Sequence, residues 1–274
     1  MAHPQDPRFY QIATLSTLLV YGMTQLEFDV TPGRCALLIT TALATQALAS
    51  RRVGIPFDPL SALISSLSLC LLLRTNHASL AMLTAVVAVG SKFVIRINGK
   101  HVFNPTNLGI VFALATGYAW VSPGQWGSAA FFAFFMACVG GVVTNRSSRT
   151  DVTIAALTAW AALLFARSAW LGEPIDIPVH RIQSGAFLLF AFFMISDPKT
   201  TPDSRLGRVL FATVVCFGAA VVQFKWFRTN GLVWSLALFS MFVPLVDRLL
   251  PGGKFQWPTL PERTPAPTGL AEVS

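Results

Sequence analysis

Long apolar runs separated by short polar stretches fill the chain from Phe9 to Leu249. Crossing the hydrocarbon of a bilayer as a helix takes about 20 apolar residues. Ten segments are candidates, at roughly 9–26, 33–50, 58–73, 78–97, 105–119, 127–145, 150–171, 184–196, 206–223 and 229–249. Strand patterns are absent, and open sheet edges are not tolerated in lipid. The pattern predicts an all-α polytopic membrane protein with about ten transmembrane helices. The segments at 105–119 and 184–196 are short and flanked by polar, proline-containing sequence, as half-helices lining a site at membrane depth often are.

Comparing the chain with itself sharpens this. "SALISSLSLCLLL" from Ser61 matches "SGAFLLFAFFMIS" from Ser184, and "TNLGIVFAL" from Thr106 matches "TNGLVWSLAL" from Thr229, both at an offset of 123. Five segments separate the members of each pair, so equivalent helices run in opposite directions. That is the pattern of two inverted five-helix repeats. The expected division is an N-terminus at 1–8, a first repeat at 9–125, a second at 126–250, and a partly disordered tail at 251–274 rich in proline and polar residues.

Composition supports a membrane protein: 54% of the 274 residues are hydrophobic and only 12% charged, about half the usual soluble density. The net charge of +8 comes from cations in short loops, which argues for orientation by the positive-inside rule rather than nucleic acid. Fourteen of the 20 Lys and Arg fall on the side of the N-terminus. The expectation is a multi-pass protein of the cell inner membrane with both termini cytoplasmic. Cys35, Cys70, Cys138 and Cys216 each stand alone in an apolar segment and read as buried thiols. No metal motif or catalytic triad is visible.

Polar residues concentrate in "SKFVIRINGKHVFNPTNLGIV", Ser91 to Val111. Lys92 and Arg96, four apart, are expected on one helix face. Asn98-Gly99 reads as a turn, after which Lys100 and His101 precede a helix opened by Asn104, Pro105, Thr106 and Asn107. Cations beside a helix N-terminus make a candidate anion site, or an ordinary basic loop. On the same side, "FFMISDPKTTP" ends a greasy helix in Asp197, Pro198 and Lys199, with Thr200 and Thr201 adding hydroxyls. A carboxylate at a helix C-terminus is opposed by the dipole and needs a partner; Lys199, Arg205 or a cation of the 92–100 loop could supply it. Thr229 and Asn230 open the last segment from the opposite leaflet, and the two Thr-Asn starts would suit one central site.

"GKHVFNPTNLGIV" (Gly99 to Val111), "GAFLLFAFFMISDPKTTP" (Gly185 to Pro202) and "DPLSALISSLSLCLLL" (from Asp58) resemble a known family of membrane subunits. It is the family shared by the Rnf electron-transport complex, as its D component, and the sodium-translocating NADH:quinone reductase, as its B component. The resemblance covers about residues 8–250. It implies a urea-transporter-like fold of two inverted five-helix repeats, flavins held within the membrane, and electron transfer between them. The matching positions are Lys100, His101, Asn104, Pro105, Asp197, Pro198 and Thr201. The family's covalent attachment motif, Ser-Gly-Ala-Thr after the fifth helix, is absent: Thr116–Ser128 lacks it, and Ser184-Gly185-Ala186 is followed by Phe187, which has no hydroxyl. A non-covalent riboflavin or FMN is therefore expected. The resulting expectation is an electron-transfer subunit working with other redox membrane subunits, rather than a stand-alone enzyme. The alternatives are a transporter or channel for a small polar solute and, more weakly, a scaffold using Phe131, Phe132, Phe134 and Phe135.

Overall fold

The computed structural model describes residues 6–26, 28–122, 140–145 and 148–255. Four of its first helices share one start. α1 (Pro7–Gln25), α2 (Pro32–Val53), α3 (Pro59–Leu72) and α5 (Pro105–Ala115) begin on proline, whose missing N–H costs nothing there. The preceding Asp6, Thr31, Asp58 and Asn104 each accept a first-turn backbone N–H through the side chain. α4 (Ala78–Val94) lies between α3 and α5 in sequence. In the second half come α6 (Thr150–Leu171), α7 (Asp176–Ile182), α8 (Gly185–Leu189), α9 (Arg205–Ala220), α10 (Gly231–Ser240) and α11 (Val243–Leu249). α8 continues as a π-turn over Phe190–Met194, and α9 as another over Val221–Lys225. Residues 140–145 are also helical.

Among the described residues, α6 and α9 with its π-turn are long and apolar enough to cross a membrane. The pairs α7–α8 and α10–α11, bent by 47° and 53°, make up to four spans if each pair counts as one. α3, α4 and α5 are apolar but shorter. Length and composition alone therefore fall short of ten. Most of the segment at 127–145, including Cys138 and Phe131, Phe132, Phe134 and Phe135, lies outside the described residues, as do residues 256–274 of the tail.

Two small strand pairs correct the expectation that strands are absent. β1 (Leu73–Thr75) extends α3 and pairs antiparallel with β4 (Ala119–Val121), which follows α5. β2 (Arg96–Ile97) and β3 (Lys100–His101) form a hairpin across Asn98-Gly99, whose φ angles of 52° and 79° are those of a tight two-residue turn. Strands this short carry no hydrophobic period. Arg74 closes α3: its Nη1 donates to the carbonyls of Cys70 and Leu73 at 2.9 Å each.

Side-chain bonds gather the helix ends into two groups. At the near end Arg8 at the start of α1 pairs with Asp58 before α3, Lys92 at the end of α4 reaches Ser61, and Asp151 in α6 pairs with Arg208 in α9. At the far end the Thr75 hydroxyl donates to the Tyr118 carbonyl, while Arg167 of α6 and Arg181 of α7 lie over the Phe224 ring beyond α9. In the first half α2 packs on α4 and α4 on α5; in the second α6 packs on α9 and α9 on α10. Both α5 and α10 approach their neighbours through glycine. A Cβ on Gly109 would stand 2.8 Å from the Ala88 Cβ, and one on Gly231 2.4 Å from the Ala219 carbonyl oxygen. The halves join where α5 meets α10, with Asn107 Nδ2 donating to the Val233 carbonyl at 3.1 Å.

Candidate functional site

At the near end a cavity of about 280 Å³ opens between the first turns of α3 and α5, the end of α4 and the turn after α8. Local rules explain how these parts arrive. Asn104 caps α5 by accepting the Asn107 N–H at 3.0 Å, and its amide donates to the Met194 carbonyl at 3.2 Å and to Asp197 Oδ2 at 3.3 Å. One side chain thus ties α5 to the end of α8. Beyond it Asp197 Oδ1 accepts the Lys199 N–H at 3.0 Å, and the Asp197 carbonyl accepts the hydroxyls of Thr200 and Thr201. Pro198 forbids helix at this point, so the side chains close the turn instead.

The dipole argument gives the carboxylate at 197 a cation as partner, and the structure differs. Asp197 forms no ion pair among the described residues; its partners are an amide and a backbone N–H. Burial pushes its pKa above the usual carboxylate range, against the pull of the Lys199 N–H and of Arg149, Lys92 and Lys199. Lys92 is 5% exposed, and its ammonium donates to Ser61 Oγ at 2.9 Å without a carboxylate in ion-pair reach among the described residues. A buried ammonium with one neutral partner is costly unless something else faces it. His101 lies on the hairpin wall of the same cavity. Burial, helped by Arg96, Lys92 and Lys199, lowers its pKa to about 4, and its Nδ1 has no partner among the described residues. The imidazole is neutral at pH 7.

Lys92, Arg96, His101, Asn104, Thr106 and Asp197 come together on this cavity. Lys92 and Arg96 do not share a helix face as expected, because α4 ends at Val94 and Arg96 belongs to β2. Lys100 turns away to bridge Asp203 at 2.9 Å and Asp247 at 2.8 Å. Thr200 is buried in the turn, and Thr201 accepts from Arg149 Nε at 3.1 Å. Asn107 sits at the α5–α10 contact, with its Oδ1 buried and unpartnered. Thr229 and Asn230 do not reach the near cavity. They line a second one of about 570 Å³ at the far end, with Trp160, Phe187 and Arg181. Asn230 adopts φ 61° and does not cap α10 through its side chain. The two Thr-Asn starts therefore serve separate cavities, while Asn107 and Val233 make the contact between them.

Sequence reasoning missed four residues that line the near cavity. Gln46 from α2 brings a buried, unpartnered Oε1; Ser65 of α3 is 4% exposed; and Phe192 and Phe193 face it from the π-turn. Serines repeating through α3 are the available signal for that wall. Nothing local marks Gln46.

A helical bundle with apolar spans, two broken helix pairs and a polar cavity where helix ends converge is the architecture of a polytopic membrane protein. Comparison with known proteins gives a match over part of the chain. Residues 123–256 match the NQR2, RnfD, RnfE family, the family that the sequence segments resemble; of those segments only Gly185–Pro202 falls inside the matched stretch, the segment from Asp58 and Gly99–Val111 lying before it. Among similar proteins are three named as the D component of an ion-translocating oxidoreductase complex. That of Erwinia tasmaniensis is 26% identical over 145 residues, 52% of this chain and 37% of the relative. That of Psychromonas ingrahamii is 32% identical over 85 residues, 31% and 23% of the two chains. That of Stutzerimonas stutzeri is 36% identical over 87 residues, 30% and 24%. The matched stretch spans well under half the length of each relative.

Proposed function

We propose that this chain is an electron-transfer subunit of a membrane redox complex, holding a non-covalent flavin, riboflavin or FMN, in the near cavity. The observation that carries the reading is the buried Lys92 ammonium, with no carboxylate in ion-pair reach among the described residues although Asp58 and Asp197 line the same cavity, facing a space that also has aromatic walls. Phe93, Phe192 and Phe193 offer flat apolar surface, and Gln46 Oε1 and His101 Nδ1 are buried polar atoms without partners on its rim. Ligand sites are mostly apolar with a few placed polar groups, in about 300–1,000 Å³. At about 280 Å³ the cavity would take the ring of such a ligand, and Arg96 and Lys199 in its lining could meet the charge or hydroxyls of the rest. The residues present fit the group.

A flavin, when bound, supplies the ability to accept and pass on electrons; the chain binds, orients and shields it. Lys92 would supply a charged donor that favours negative charge on the ring, while the Asn104 amide, its donors taken by Met194 and Asp197, fixes the wall beside it. The phenylalanines exclude water. Asp197, held by hydrogen bonds rather than by a cation, keeps the Asn104 amide oriented.

The ten-span inverted architecture is part of the same reading. Each half contributes a short third helix, a fourth helix packed on the second and fifth, and a short fifth helix opened by Asn104 or Asn230. The near cavity lies between the start of α3, the start of α5 and the end of α8. The far cavity lies between the start of α8, the start of α10 and the segment after α3 and α5. That interchange is what a two-fold axis in the membrane plane would produce. By this topology both termini lie at the near, cytoplasmic end.

The test is the visible spectrum of the purified protein followed by denaturation. Flavin absorbance that passes into the soluble fraction on denaturation supports the reading. A colourless protein that takes up no added riboflavin or FMN sinks it, and flavin retained by the denatured chain sinks the non-covalent part.

A further inference from the structure

At the far end of the bundle, away from the near cavity, two cysteines meet. Cys35 lies in the first turn of α2 and Cys70 in the last turn of α3. Both are buried, at 7% and 0% exposure, and neither is bonded to another sulfur. Cys70 Sγ lies 4.0 Å from the Cys35 carbonyl oxygen, so the two residues are in contact where α2 packs on α3. Beside them is Arg74, 6% exposed. Its Nη1 is spent on two carbonyls, its Nη2 has no partner, and among the described residues no carboxylate is within ion-pair distance. Asp29, which is exposed, and the two buried thiols are the groups that act on this charge, and a buried guanidinium favours the thiolate form of a neighbouring thiol.

We infer that Cys35 and Cys70 form a redox-active dithiol that closes to an internal disulfide on exposure to a hydroperoxide. Their burial admits a small oxidant and keeps out a protein one. The Cys35 thiolate attacks one oxygen of hydrogen peroxide, the O–O bond breaks, and the released hydroxide takes a proton to leave as water. The Cys70 sulfur then attacks the Cys35 sulfenic sulfur, the S–O bond breaks, and the second hydroxide leaves as water with the Cys70 proton. Two thiols are oxidised by two electrons, and one peroxide is reduced to two waters. Arg74 favours the Cys35 thiolate in the first step. The bond ties the first turn of α2 to the last turn of α3, whose other end lines the near cavity. The inference does not depend on what that cavity binds.

The experiment uses the full chain in detergent, treated with hydrogen peroxide, then denatured, alkylated and mapped without reduction. The expected result is that two of the four thiols become unalkylatable, that the Cys35 and Cys70 peptides appear joined, and that dithiothreitol restores both. Cys35→Ser or Cys70→Ser each abolishes the link, and Arg74→Gln slows its formation by about tenfold as thiolate support is lost. Four alkylatable thiols after treatment, sulfinic acid at either site without a linked peptide, or a link through Cys216 would each overturn it. The wild-type mapping decides the matter even if a variant fails to fold.

Discussion

Asn104 works at three places at once: it caps α5, holds the Met194 carbonyl at the end of α8, and orients Asp197. Losing a cap costs about 1 kcal/mol and a buried hydrogen bond about as much again. Asn104→Ala is expected to lower unfolding stability by about 2 kcal/mol, read as a fall in Tm, and to lower flavin retention with it. His101 gives a pH signature. Its folded pKa of about 4 lies below the ordinary 6.5, so its contribution to stability is full above pH 6.5 and is lost as pH falls through 4. The loss is roughly 3 kcal/mol. Asp197, whose pKa is raised, has the opposite sign: its contribution is present at low pH and is lost as pH rises through the folded value. Wild type and His101→Gln should therefore be compared between pH 7 and 4, and the variant should lose less stability over that window. Parallel curves would mean that His101 is not buried neutral. The capping role of Asn104 is legible in the sequence because caps are local. The destination of Lys100 is not, since Asp203 and Asp247 lie 103 and 147 residues away.

At the scale of elements, glycine sets how closely the short helices approach. The Gly231 position faces the Ala219 carbonyl, a backbone atom that cannot step aside. Gly231→Val is expected to displace α10 and cost about 2 kcal/mol or more. Gly90 in α4 has open space where a side chain would begin, with nothing within 4 Å of an added Cβ. Gly90→Ala should therefore be neutral or stabilise by up to about 1 kcal/mol. Thermal denaturation of the two variants side by side checks this, and equal losses would contradict the packing described. Helix starts at Pro32, Pro59 and Pro105 follow from Thr31, Asp58 and Asn104. The π-turns after Leu189 and Ala220 have no sequence mark, because nothing in Phe190–Met194 or Val221–Lys225 breaks the helical period. The two-residue strands of the 96–101 hairpin are equally silent, apart from the Asn-Gly turn that joins them.

For the whole molecule, the bonds between helix ends carry the argument for topology. Arg8–Asp58, Lys92–Ser61, Asn104–Asp197 and Asp151–Arg208 collect starts and finishes of distant segments at one end. That grouping is consistent with the sequence repeat at offset 123, and it requires positions 52 and 175 to lie on opposite faces of the membrane. Arg52→Cys and Ile175→Cys, both exposed, should react with an impermeant maleimide from opposite sides of sealed vesicles, with 52 on the cytoplasmic side. Reaction from one side alone would undo the topology. The near cavity is foreshadowed by the cations and the Asn-Pro and Asp-Pro corners. That the Thr229-Asn230 start feeds a different cavity is hidden, because sequence symmetry alone does not say on which side of the contact each helix start opens.

The central claim is that the near cavity holds a flavin by contacts that the chain's own side chains supply. Flavin content per chain, compared between wild type and a Ser65→Trp variant that fills the cavity from α3, tests it most directly. The expected result is near-stoichiometric, releasable flavin in the wild type and at least a tenfold loss in a variant that remains folded by circular dichroism. Equal flavin content in the two folded proteins would contradict it.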